Sequence, residues 1–155
     1  MKELLDDVEA AIVAAPSLAD IVVKGGGVTQ VESVEDLPDQ IKTPAIGLVD
    51  GGSSGTHFSS GVRWITFRVI VVVYVRIFDQ LKKIKGRTPT AAFPENRAAT
   101  DLQKAVRSVL DKDRIGGKYA RAFFRSDDPT KMVKSDQNEF YLAKPSVFEY
   151  IRAET

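Results

Sequence analysis

Cysteine is absent from the chain, and histidine occurs once, at His57. Without a thiol there is no cysteine nucleophile, no thiolate-bound zinc or iron–sulfur centre and no redox switch. One imidazole cannot build a multi-histidine metal site within a subunit. Catalytic, cofactor-binding and metal-binding residues are therefore all expected to be none, and the chain is not read as an enzyme. Long apolar runs are scarce as well. The most hydrophobic stretch, 62–78, is interrupted by Arg68 and Arg76, whereas a membrane-spanning helix needs about 20 mostly apolar residues. The first residues, Met1 to Glu9, are acidic where a secretory signal would be basic. Repeats and linker-like tracts are missing. The expectation is a soluble, intracellular protein with no membrane partner.

Phosphate-binding and nucleophile motifs are also wanting. Gly25-Gly26-Gly27 is not followed by a Gly-x-Gly-x-x-Gly run, and Gly51-Gly52-Ser53-Ser54-Gly55 lacks the Gly-Lys-Ser/Thr ending of a P-loop. Both read as turn glycine. Ser53, Ser54 and His57 are neighbours, but no Gly-x-Ser-x-Gly elbow presents a serine to a base. The carboxylate pairs Asp6-Asp7, Asp111/Asp113 and Asp127-Asp128 fall on helical faces or in turns. None has an apolar setting that would split the two pKa values for acid–base work.

What is present is an ordinary globular composition. The chain has 155 residues, 43% hydrophobic and 28% charged, enough to bury a core as one domain spanning 1–155. Net charge is only +1, yet it is unevenly spread. Residues 1–50 carry three basic against ten acidic side chains, residues 51–97 eight against two, and residues 98–155 eleven against nine. One subunit could thus present an acidic surface to the basic surface of a neighbour, an arrangement that steers assembly and sets register. The candidate interface residues are Asp6, Asp7, Glu35 and Asp36 on the acidic side, with Arg76, Lys82, Lys83, Lys85 and Arg87 on the basic side.

Periodicity supplies the elements. Leu4, Leu5, Val8, Ala11, Ile12 and Ala15 recur at helical spacing over 2–15, and Pro16 stops that helix. Ile21-Val22-Val23-Lys24 reads as a short strand, 28–43 as a weak helix or irregular excursion, and 44–50 as a second strand. The glycine-serine run 51–55 reads as a flexible connection. A long strand is expected over 62–79. It has one apolar face (Ile65, Phe67, Val69, Val71, Val73, Val75, Ile77) and one mixed face, and its length requires it to bend or project. The basic, proline-bearing stretch 80–95 reads as an exposed loop. A helix is expected over 96–112, capped by Asn96 and ended by Gly116-Gly117, with strands at 119–125, 138–143 and 146–152. The region 126–137 reads as a hairpin tip. The fold class is α+β, a single antiparallel or mixed β-sheet packed against two α-helices.

This order resembles a family. An acidic N-terminal helix leads to a short strand and then to Thr43-Pro44-Ala45-Ile46-Gly47-Leu48-Val49-Asp50-Gly51-Gly52. The long strand follows, then the proline-bearing loop, the helix ending near Gly116-Gly117 and a closing hairpin with Val147-Phe148-Glu149-Tyr150. The pattern is similar, over nearly the whole chain, to the tail terminator (tail completion, head-to-tail joining) proteins of tailed bacteriophages and prophage elements. The resemblance implies a structural protein of the virion tail or neck, assembled in the bacterial host cytoplasm. Copies would close into a homo-oligomeric ring, commonly a hexamer, that caps the tail tube protein and meets the head–tail connector protein. DNA would pass through the lumen without sequence-specific binding. The residues leave two other readings open. One is a nucleic-acid-binding module using the basic segment 63–97 with its interleaved aromatics. The other is a different tail structural subunit, such as a tube protein.

Overall fold

Helix α1 spans Lys2–Ala14, with Leu4, Leu5, Val8 and Ile12 buried along one stripe and Glu3 in the first turn, where the helix dipole favours an acid. Pro16 does more than stop it: as the first residue of a 3₁₀ turn (Pro16–Leu18), it leads into a second helix, α2, at Ala19–Val23. The strand expected at Ile21–Lys24 is therefore corrected to a helix. Leu18 and Ile21 are fully buried while Val23 is 77% exposed, which is a three-residue spacing and not the alternation of a strand.

The computed structural model describes residues 1–23, 25–36, 42–57, 61–76, 99–134 and 139–154. Six strands are seen among them: β1 Val28–Gln30, β2 Ala45–His57, β3 Arg63–Arg76, β4 Arg121–Asp127, β5 Lys131–Lys134 and β6 Phe140–Glu154. They form one mixed sheet in the order β1-β2-β3-β6-β4, with β5 also paired to β6. Only β1 and β2 are parallel; every other pairing is antiparallel. Helix α3, Ala99–Leu110, completes an α+β fold. Asn96 and the stretch 80–95 lie outside the described residues.

Several sequence expectations are revised. The glycine-serine run is not a flexible connection but part of β2, which continues to His57 with a register shift between Asp50 and Ser53. This is a β-bulge: Gly52 has φ +90, and a Cβ on Gly51 would lie 2.9 Å from the Cβ and carbonyl oxygen of Arg68. Glycine is needed there for the backbone conformation and for the close approach. The stretch read as an excursion contributes β1, and the expected hairpin tip contributes β5. The two strands expected at 138–143 and 146–152 are one strand, β6, that passes through Pro145. Proline fits because the Pro145 carbonyl accepts from Asp128 N–H at 3.0 Å, so the side of Pro145 that lacks an N–H faces the connection between β4 and β5. No ladder bond to β3 is lost. Helix α3 ends at Leu110 and turns at Lys112, φ 65, several residues before the expected glycines.

The long strand is central. β3 pairs with β2 on one side and with β6 on the other, from Arg63↔Glu154 to Arg76↔Tyr141. Its alternation holds: Phe67, Val69, Val71, Val73 and Val75 join α1, Leu18, Ile21, α3, Phe148 and Tyr150 in the main core. The opposite face carries a smaller apolar cluster of Val49, Val72, Tyr74, Val133 and Ala143, against which Val31 and Val34 pack. Tyr74 Oη donates to the Val34 carbonyl at 2.8 Å. Towards the other end, Gly52–Thr56 are exposed and Ile151–Glu154 unburied. There the end residues of the three strands, beyond Ile65 on β3, form a short arm at the rim of the core.

Candidate interface

The candidate residues fall into separate places. Asp6 and Asp7 lie on α1, on the helical side of the sheet. Asp6 accepts from the Gln30 amide at 2.7 Å and sits 3.6 Å from Lys2 Nζ; the Gln30 hydrogen bond, helped by Lys2, holds its carboxyl below the usual value. Asp7 and Glu3 both receive Lys118 Nζ, at 3.0 and 3.3 Å. Those two hydrogen bonds raise the Lys118 pKa.

Glu35 and Asp36 follow Val31 and Val34, which pack on the opposite face of the sheet. Glu35 accepts from Lys131 Nζ at 2.7 Å, a hydrogen bond that lowers its pKa. The Asp36 N–H donates to the Ser33 carbonyl at 3.1 Å. Arg76, at the end of β3, reaches Glu139 at 3.5 Å and lies over the Tyr141 ring. Lys82, Lys83, Lys85 and Arg87 lie outside the described residues. The structure thus ties the acidic first third of the chain to cations beyond residue 98 by exposed pairs, each of modest worth. The acids singled out from the sequence sit in two clusters on opposite faces.

Two features carry no signal strong enough to find from sequence. On the face of the sheet away from the helices, Glu149, 8% exposed, accepts from Arg68 Nε at 3.2 Å and from Arg125. Arg68 and Glu149 face each other across β3 and β6. Each strand's alternation shows which face its residues take, but not that a cation and an acid share one register. The second feature is an open cavity of about 460 Å³ beside β4, lined by Lys112, Arg114 and Arg121 with Ala120, Ala122 and Phe123. Arg114 Nε donates to the Tyr119 carbonyl at 2.9 Å. None of these three cations forms an ion pair with a described residue.

The serines and carboxylate pairs singled out from the sequence have structural places among the described residues. Ser53 and Ser54 occupy successive positions of a regular strand and so point to opposite faces. Asp111 accepts from Phe124 N–H and Asp113 from Ile115 N–H, roles that fix the turn after α3. Among the described residues no group of three His, Asp or Glu side chains could hold a metal ion, and no helix is long and apolar enough to cross a membrane.

Beside the two sheet faces and the cationic cavity, comparison with solved structures adds a likeness of fold. The chain is similar in fold to one found in a virion particle. A chain in a solved structure titled "Virion of native gene transfer agent (GTA) particle" superposes with a TM-score of 0.56 at 14% identity, covering 96% of this chain and 93% of that one. At that identity the likeness is one of fold. No family model matches the sequence, and the search of curated proteins gives no match.

Proposed function

We propose that this chain is a non-enzymatic structural subunit of a phage-like particle, a tail terminator whose copies close into a ring on the tail tube. The observation that carries the reading is the likeness of fold, over nearly the full length of both chains, to a component of a gene transfer agent virion. Sequence pattern independently points to the tail terminator family. A ring requires a heterologous contact, in which one surface meets a different surface on the next copy. The two outer edges of the sheet, at β2 and at β4, are two different surfaces of this kind. In this reading the ring, commonly of six copies, caps the tube protein and offers its other side to the head–tail connector. DNA passes through the lumen without sequence-specific binding. Arg76 and the cluster Lys82, Lys83, Lys85 and Arg87 are assigned to contact with a partner protein or the adjoining subunit. The location is the virion tail or neck, with assembly in the host cytoplasm.

Light scattering over a concentration series at two salt levels tests the reading. The expected result is a discrete species near six times 17.0 kDa, and addition to growing tail tubes should arrest their length. Open filaments would identify a tube subunit instead. A strict monomer that binds DNA at low salt and releases it steeply as salt rises would identify a nucleic-acid module. The second of these is disfavoured by pairing within the basic segment: Arg68 and Arg76, two of its three described cations, face Glu149 and Glu139.

A further inference from the structure

Glu32 and Asp50 stand at one edge of the sheet, and Lys112, Arg114 and Arg121 stand beside the other. Val31 N–H donates to the Leu48 carbonyl, the last described bond on the outer side of β2. Beyond it β2 runs to His57 with no strand neighbour on that side among the described residues. At this point stand Glu32 and Asp50, both exposed. Asp50 spends one oxygen on Gly52 N–H at 2.7 Å, and neither acid forms an ion pair with a described residue. The edge that follows, Ser53-Ser54-Gly55-Thr56, is small, uncharged and free of proline. It lacks the lysines that commonly guard an outer strand. On the opposite edge β4 borders the cavity of Lys112, Arg114 and Arg121, all three exposed. Phe123 forms part of the apolar wall of that cavity.

We infer that the acidic root of the arm, Glu32 and Asp50, with the β2 edge beside it, docks a second copy of this chain through that copy's Lys112–Arg114–Arg121 cavity. Charge complementarity selects the occupant. A cationic edge repels its own kind, and so does the acidic root, whereas the two attract each other across copies. Contacts between unlike edges are head-to-tail, and their rotation closes a ring or propagates a filament. Two guanidiniums and an ammonium around one cavity suit carboxylates, since a guanidinium fork can hold a carboxylate with two parallel hydrogen bonds. The inference rests on the ring reading and names the two surfaces that form its junction.

The test uses the full chain and three variants: K112E/R114E/R121E, E32K/D50K, and E32K alone, which leaves the bulge acid in place. Light scattering at low and physiological salt should show wild type assembling. Each multiple variant should need a concentration more than about tenfold higher, because like charges are then brought together across the contact. E32K should shift assembly in the same direction by less. An equimolar mixture of the two multiple variants should assemble again, since each restores the other's complementary surface. If wild type assembles and K112E/R114E/R121E does so equally well, the ring stands and this junction is overturned. Failure of the mixture to recover overturns the pairing of these two surfaces. Should the triple variant lose binding to a short DNA duplex but keep its assembly, the cavity is a phosphate site and the inference fails. A wild type that stays monomeric in every condition overturns both the ring and its junction.

Discussion

Two buried polar groups define what single residues hold together. The Tyr74 ring lies on Gly47, where a Cβ would come within 2.8 Å of Cε2, and its hydroxyl binds Val34 on the segment crossing the sheet. Burial, with Asp36 and Glu35 nearby, pushes the Tyr74 phenol pKa upward, so it remains a donor at any physiological pH. Tyr74→Phe removes one neutral hydrogen bond and should lower unfolding free energy by about 0.5–1.5 kcal/mol in a urea titration. Glu149 is the other group. Removing its charge leaves Arg68 and Arg125 facing each other without their shared anion. Because those side chains are 36% and 53% exposed, water screens part of the loss, and Glu149→Gln should cost about 1–2 kcal/mol. The difference from wild type should shrink as salt is raised, since added ions screen the two guanidiniums.

At the scale of elements, the bulge decides how β2 meets the arm. Gly51→Val places a branched side chain against Arg68 backbone, so β2 or β3 must shift, and a loss of about 1–3 kcal/mol is expected from such overpacking. Thermal melts of the variant check it, and an unchanged melting temperature would mean that the bulge is not held by this contact. The same glycines show where sequence reading stops. α1, β3 and α3 were legible because Leu4, Val8 and Ile12, or Val69, Val71 and Val73, keep one period over many residues. Gly51-Gly52 and Pro145 punctuate a chain as turns do, yet here each sits within a long strand, and only its neighbours permit that. Ile21-Val22-Val23 is β-branched and reads as a strand, whereas Leu18 and Ile21 share the core with α1 at a helical three-residue spacing. The cations Lys112, Arg114 and Arg121, which form no ion pair among the described residues, are illegible as a site in the sequence, because the turn at Lys112 between α3 and β4 brings them together.

Across the whole molecule, charge pairs bridge distant parts of the chain, and they make stability depend on pH. Glu35 is held below its ordinary value of 4.5 by Lys131. Its unfolded form therefore binds protons that the folded form refuses. The stabilisation is fully present above about pH 4.5 and is lost as pH falls through the lower, folded value. The urea midpoint of wild type should drop more steeply on acidification through this range than that of Glu35→Gln. A pair of parallel curves would show that Glu35 and Lys131 do not meet in solution.

The place of β6 in the sheet bears on how the molecule is made. Among the described strands the latest in chain order, β6, lies between β3 and β4, with Arg63 opposite Glu154 and Arg76 opposite Tyr141. During synthesis, β1, β2 and β3 emerge with one flank of the most apolar strand bare, and that flank closes only when residues beyond 140 have appeared. Such long-range pairing is slow to form, and an uncovered strand of this kind invites mispairing between nascent chains. The order of synthesis thus puts the hazard early and its remedy last.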